Sequence, residues 1–386
     1  MRIVTYEIVP DGDLEVVLKD PGIQKVIPSI RLRQPPTYQQ QYKPDSDSLD
    51  EPWTFENLPA LGGLEDTLVT KDKSSGSDEE PVKVRMRVSP LHLILASPVV
   101  KKMLQGPWIE AASPVPSTCP TSPTCSSIVS TSSASTTSSV REMPTSDFNP
   151  HALAVVLNYI HGRHCYVPRK VNLSFFVNVA VIVEYYHCDG AIQVLAELWY
   201  ELMYKRPARY GNQSVMWLYI AWVFSWPKLF SDMARLAMEH GEGLKLVETK
   251  DLPILEILGK LDEKRQDAIK KITDGLHDLA EKLTSGTGVC GHKCSSMLLG
   301  SLMREMRKID KLDPPLTGSF TGHSVAVVIN MVRCFQDIEW YDLHVTWRKY
   351  DAHTCTLLKK MQPVIDSIEA EMGRLKLTDF LHQEGA

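Results

Sequence analysis

Two long stretches of this 386-residue chain have no means of building a core, and they divide everything else. Residues 45–80 hold eleven Asp or Glu against two Lys, Lys71 and Lys73. Such a segment cannot bury enough apolar surface to offset the entropy of ordering it. Residues 113–146 contain twelve Ser and seven Thr in 34 positions, with Pro114, Pro116, Pro120 and Pro123 among them, which is the composition of a low-complexity spacer. The sequence therefore predicts largely disordered insertions at about 22–81 and 113–146 inside a first domain spanning 1–203. A second domain spans 204–386.

Outside those stretches the chain reads as ordinary globular protein, with 43% hydrophobic and 23% charged residues overall. A net charge of −5 lacks the basic field of a non-specific nucleic-acid binder, so nucleic acid is not an expected partner. Eight unevenly spaced Cys suit reduced thiols in an intracellular compartment, nucleus or cytoplasm. The N-terminus, MRIVTYEIVPDGD, reaches charged residues too early for a signal peptide. The most apolar stretches, Phe175–Tyr186 and Val215–Trp226, fall short of the ~20 residues that span a bilayer. No membrane partner is expected.

The first segment, Arg2 to Asp20, has the pattern of a hairpin, with Asp11-Gly12-Asp13 as its turn. Val84, Met86 and Val88 alternate with Lys83, Arg85 and Arg87, the period of a half-buried strand. Ser89-Pro90 then opens a short helix, and Ser97-Pro98 ends it and opens another, with proline each time at the first helical position. From Asn149 onward helical periodicity dominates. Leu173–His187 and Ala191–Met203 are predicted helices, and Met216–Glu239 is a pair broken at Trp226-Pro227. Pro253–Leu283 is a long amphipathic helix. Shorter ones follow near Ser295–Ile309 and Ser324–Phe335, and the last runs over Cys355–Leu377. The fold class is α+β.

The run V-S-P-L-H-L-I-L-A-S-P-V-V-K-K-M-L, Val88 to Leu104, resembles the opening of a BTB/POZ domain. Asp147 to Gly162 and Val179 to Leu198 resemble its later helices. His161 to Val171, H-G-R-x-x-x-V-P-R-K-V, is similar to BTB proteins of filamentous fungi, in which a helical region follows the domain. Val100 stands where an aromatic is usual, and so slim a residue predicts looser packing there. The resemblance implies a BTB/POZ-like N-terminal domain, a small sheet flanked by helices, followed by a mainly α-helical C-terminal domain. It also implies a non-enzymatic protein–protein interaction scaffold or adaptor. Its partners would be a second copy of itself or a cullin-type ubiquitin-ligase scaffold. In BTB homodimers the first helix and N-terminal strand form much of the interface, which here designates Ile3, Val4, Tyr6, Leu91, Leu93 and Leu95. A transcription- or chromatin-associated regulator is an alternative reading.

One group of residues points to metal. Cys290 and Cys294 sit at a loop-to-helix start, and His353 and Cys355 precede the last helix. Four such ligands can surround a structural zinc at about 2.0–2.3 Å, provided the last helix packs beside the 295–309 helix. The competing reading makes Cys294 and Cys355 small packing residues; an open site would instead suit a metal-dependent enzyme. Gly286-Thr287-Gly288-Val289-Cys290-Gly291 matches G-x-G-x-x-G, but it follows a helix rather than a strand and reads as a helix stop. His161, His164, Cys165, His187 and Cys188 cluster in sequence at helix ends and read as structural, and Trp217, Tyr219, Trp222, Phe224 and Trp226 read as core. No G-x-S-x-G, H-E-x-x-H or Walker pattern is present.

Overall fold

The computed structural model describes residues 2–32, 82–106, 140–203, 206–287, 291–336 and 355–380. These form a mixed α+β protein of two compact units. The first comprises residues 2–25, 82–106 and 140–203; the second takes 26–32 and everything from 206.

In the first unit, strands β1 (Arg2–Glu7), β2 (Leu14–Lys19), β4 (Val82–Val88) and β5 (Arg141–Ser146) form one sheet in the order β1-β4-β2-β5. The two N-terminal strands are therefore not the hairpin that their sequence suggests. β4 lies between them, parallel to β1 and antiparallel to β2. The turn explains why. Ile8 and Val9 both donate to the Arg87 carbonyl, so the chain leaving β1 is tied to the end of β4 and must cross it. At Gly12 a Cβ would lie 2.4 Å from the Val88 carbonyl oxygen, so only glycine lets the turn pass this close.

Register then places one apolar row across all four strands: Tyr6 beside Met86, Met86 beside Val16, and Val16 beside Met143. All four side chains are buried. On the other face the predicted alternation puts Arg85 between two carboxylates, 2.7 Å from Glu15 and 2.9 Å from Glu142.

β5 corrects the boundary of the serine-rich stretch. Residues 141–146 share its composition, yet Met143 supplies a core side chain and the strand pairs with β2. The acidic-side boundary also moves. Residues 29–30 form a short strand, β3 (Ser29–Ile30), paired with β6 (Val247–Glu248) of the second unit. Ile30 N–H also donates to Asn212 Oδ1 at 3.0 Å. The rest of both stretches lies outside the described residues.

Five helices complete the first unit: α1 (Pro90–Ala96), α2 (Pro98–Gln105), α3 (Pro150–Ile160), α4 (Leu173–Tyr186) and α5 (Asp189–Leu202). Each proline at a first position costs no hydrogen bond. Asn149 and Asn172 accept from backbone amides at the starts of α3 and α4. A cavity of about 20 Å³ lies among Leu93, Val100, Met143, Leu157 and Tyr186, at the position where Val100 predicts loose packing.

The second unit is built on α8 (Leu255–Thr284), 30 residues long. Onto it pack α7 (Pro227–His240), α9 (His292–Ile309), α10 (Val325–Arg333) and α11 (Leu357–Met372), while α6 (Asn212–Val223) pairs with α7. Gly275 lets α11 approach, since a Cβ there would stand 3.3 Å from both Met361 and Val364. Met361, Ile365, Ile368 and Met372 are the buried row of α11. α11 packs chiefly on α8, with further contacts to α10 and α7.

Candidate interaction surface

Two short helices in sequence, each opened by Ser-Pro, make α1 a seven-residue segment with little of its own to hold it. What fixes it comes from elsewhere. Leu93 is buried, an anchor of roughly 1.5–3 kcal/mol. At the C-terminal end Ser97 accepts from Val100 N–H and donates its hydroxyl to the Tyr186 carbonyl. At the N-terminal end Ser89 has the extended backbone of a cap, but its side chain makes no cap bond. Its amide instead donates to His161 Nε2 at 3.1 Å. His161 Nδ1 lies 2.7 Å from the Leu157 carbonyl, so the ring is the Nδ1–H tautomer, with Nε2 free to accept.

Leu91 and Leu95, one turn apart on α1, are 69% and 88% exposed. β1 is an outer strand of the sheet, and its Ile3 is 52% exposed. Val4 is half-buried. Two of the six designated interface residues point the other way. Tyr6 belongs to the apolar row, and its hydroxyl accepts from Asn158 Nδ2 at 3.0 Å; Leu93 is the anchor of α1. Period two in β1 and the helical turn of α1 separate these inward residues from their neighbours. Arg163 fixes the far end of β1, donating to the Glu7 and Ile8 carbonyls at 2.9 and 2.8 Å while stacking on Tyr166.

The Cys/His groups are only partly placed. Cys294 is buried in the first turn of α9, beside Ser295, whose hydroxyl donates to the Leu283 carbonyl. Cys355 is half-buried just before α11. Cys290 and His353 lie outside the described residues. Among the described residues no group of three or more His, Cys, Asp or Glu is placed to hold a metal ion. Cys165 is exposed, whereas burial pushes the Cys188 thiol up to about 12, so it stays protonated. Gly286 does stop a helix. It follows α8 at φ 73°, and the amides of Gly286 and Thr287 return to the carbonyls of Leu283 and Lys282, the Schellman pattern.

In the second unit Trp217, Tyr219 and Phe224 are core, as their apolar surroundings in sequence predict, whereas Trp222 and Trp226 of the same group are only half-buried. Arg206 lies over Trp217, 5.3 Å from its ring. The polar centre of this unit, Arg265, is absent from the sequence expectations. It is 1% exposed and donates to Asp262 at 2.7 Å and to the carbonyls of Ser319, Phe320 and His323 at 2.8, 3.0 and 2.7 Å. It had a signal. Arg265 stands four residues after Leu261 and three before Ala268, on the apolar stripe of α8, with Asp262 one turn back. A cavity of about 20 Å³ adjoins it, lined by Tyr210, Gly243, Leu258 and Asp262, and burial pushes the Tyr210 hydroxyl up to about 12.

No helix among the described residues is long and apolar enough to cross a membrane. No family model, curated protein or solved structure matches the chain.

Proposed function

We propose that this chain is a non-enzymatic protein–protein interaction module whose first unit is a BTB/POZ-like domain and whose first partner is a second copy of itself. One observation carries the reading: Leu91 and Leu95 stand exposed on a helix that is anchored from the other side. A helix that spends Leu93 and two end fixtures on being held in place, while leaving two leucines in water, is built to present them. Among the described residues β1 is an outer strand of the sheet beside exposed Ile3, and such an edge is a template for pairing with another strand. The sequence resemblance supports the same two elements, and it makes a cullin-type scaffold the second class of partner.

Sedimentation velocity of the full chain at tens of micromolar tests this. The expected result is a dimer that becomes a monomer in the double variant Leu91→Glu, Leu95→Glu, with helical circular dichroism unchanged because neither side chain is in the core. A wild-type monomer overturns self-association. A dimer indifferent to the double variant overturns the assignment of α1.

A further inference from the structure

We propose that His161 couples proton binding to the seating of α1, so that acidification loosens the helix that carries Leu91 and Leu95. This rests on the reading of α1 as the interaction surface and adds its regulation. Among the described residues His161 Nε2 is the acceptor that holds the Ser89 amide. Pro90 has no amide hydrogen, so Ser89 N–H is the last donor before the first turn of α1, and it ends on His161 Nε2. Ser89 offers no side-chain cap of its own.

When the ring takes a proton from solvent, Nδ1–H keeps its bond to the Leu157 carbonyl, but Nε2 becomes a donor and can no longer accept. Ser89 N–H then faces an N–H. The Ser89 carbonyl, already within hydrogen-bond distance at 3.3 Å, takes the new hydrogen, so the ring's bond passes from the Ser89 N–H to the Ser89 carbonyl and the amide, left without its acceptor, shifts away from the ring. The opposite end of α1 stays fixed, because Ser97, Val100 N–H and the Tyr186 carbonyl do not titrate in this range. The shift therefore opens the helix at its start and leaves its end as the hinge.

The charged and titratable groups that bear on the ring oppose its protonation. His92, on α1 itself, lies with its ring 4.9 Å away, and Arg163 comes from the turn that follows α3. Burial, first, and these two neighbours lower the His161 value, against hydrogen bonds to Leu157 and Ser89 that raise it. The ring is thus neutral and accepting near neutrality, and the contact is lost as pH falls below the ordinary histidine value of about 6.5. His151 on α3, lowered to about 4, titrates in a more acid range and is separable.

The test is hydrogen–deuterium exchange of the full chain across about pH 8 to pH 5.5, corrected for intrinsic exchange, read beside sedimentation velocity under the same conditions. Protection of 89–96 should fall several-fold relative to 173–186, and the dimer should weaken in step. His161→Gln should abolish that difference. His92→Gln leaves the Ser89 contact in place, and it should move the midpoint to higher pH by removing the neighbour that opposes protonation of His161. Protection of 89–96 that tracks 173–186 at every pH overturns the coupling, as does a response unchanged in His161→Gln or a midpoint unmoved in His92→Gln. A chain monomeric at every pH overturns the self-association reading alone.

Discussion

Removing the Arg265 side chain should destabilise the second unit more than loss of any one of its exposed ion pairs. The guanidinium makes four hydrogen bonds, one to Asp262 and three to carbonyls of the 319–323 loop, which sits 54 to 58 residues further along the chain. The loop is tied down twice more, by Gly322 N–H donating to the Glu242 carbonyl at 2.7 Å and by His323 Nε2 at 2.8 Å from the Pro314 carbonyl. In Arg265→Met the volume is largely kept. Three carbonyls and one carboxylate nevertheless lose the guanidinium, although the Phe320 carbonyl keeps His323 N–H and Asp262 keeps Gln266 Nε2. Breaking a buried pair costs about 3–5 kcal/mol, and each buried acceptor left unmade costs about 1–3 kcal/mol. Part of the loop reaches water, which relieves some carbonyls, so the expected loss is about 3–5 kcal/mol in total. Arg265→Lys keeps the charge, but an ammonium has three donors and no fork, so it should lose roughly 1–3 kcal/mol. Guanidinium unfolding of the full chain, followed by far-ultraviolet dichroism, measures both. Exchange over 314–323 shows whether the loop is released. A loss under about 1 kcal/mol in Arg265→Met, on the scale of a surface ion pair, would refute the claim that this network organises the unit.

Two further outcomes follow from the first unit. Val100→Leu adds one methylene beside the cavity of about 20 Å³ and should stabilise by roughly 0.5–1 kcal/mol, measured as a raised thermal midpoint; a lowered midpoint would mean that the cavity walls cannot yield. His151, 3% exposed, has its value lowered by burial from 6.5 to about 4, so the folded state resists taking a proton that the unfolded state accepts. Its contribution is present above about pH 6.5 and is lost as pH falls from there through about 4, on the order of 3 kcal/mol in all. His151→Leu should flatten that part of the stability-versus-pH curve, and an unchanged curve would show that the ring is hydrated in the folded protein.

Periodicity made much of the architecture legible. The alternation of Val84, Met86 and Val88 is a strand with those three side chains inward, and the stripe Leu258, Leu261, Ile272 and Leu276 is the buried face of a helix 30 residues long. Period speaks only about which face is apolar, however, and not about which strand lies alongside. β1 and β2 carry every mark of a hairpin, and what separates them is a close approach between Gly12 and Val88, residues 76 apart. Composition misled at Arg141–Ser146 for a related reason. A six-residue strand needs only Met143 and Thr145 turned inward, too few to stand out from the serine-rich stretch around them.

Two of the six designated interface residues, Tyr6 and Leu93, turn inward on the same ground. A run such as L-H-L-I-L supplies more leucines than one side of a helix can bury, so hydrophobicity marks the segment but not the side that faces the core. What assigns the sides is the set of polar fixtures around α1. Ser97 and the Tyr186 carbonyl at one end, and Ser89 and His161 at the other, set the rotation of the helix, and that rotation turns Leu93 inward and Leu91 and Leu95 outward. His161 stands 72 residues from Ser89, and nothing in either local sequence names the other as its partner. The apolar pattern could therefore be read first. The contacts that decide what the surface presents are side chain to backbone and long in range, and a periodicity argument does not reach them.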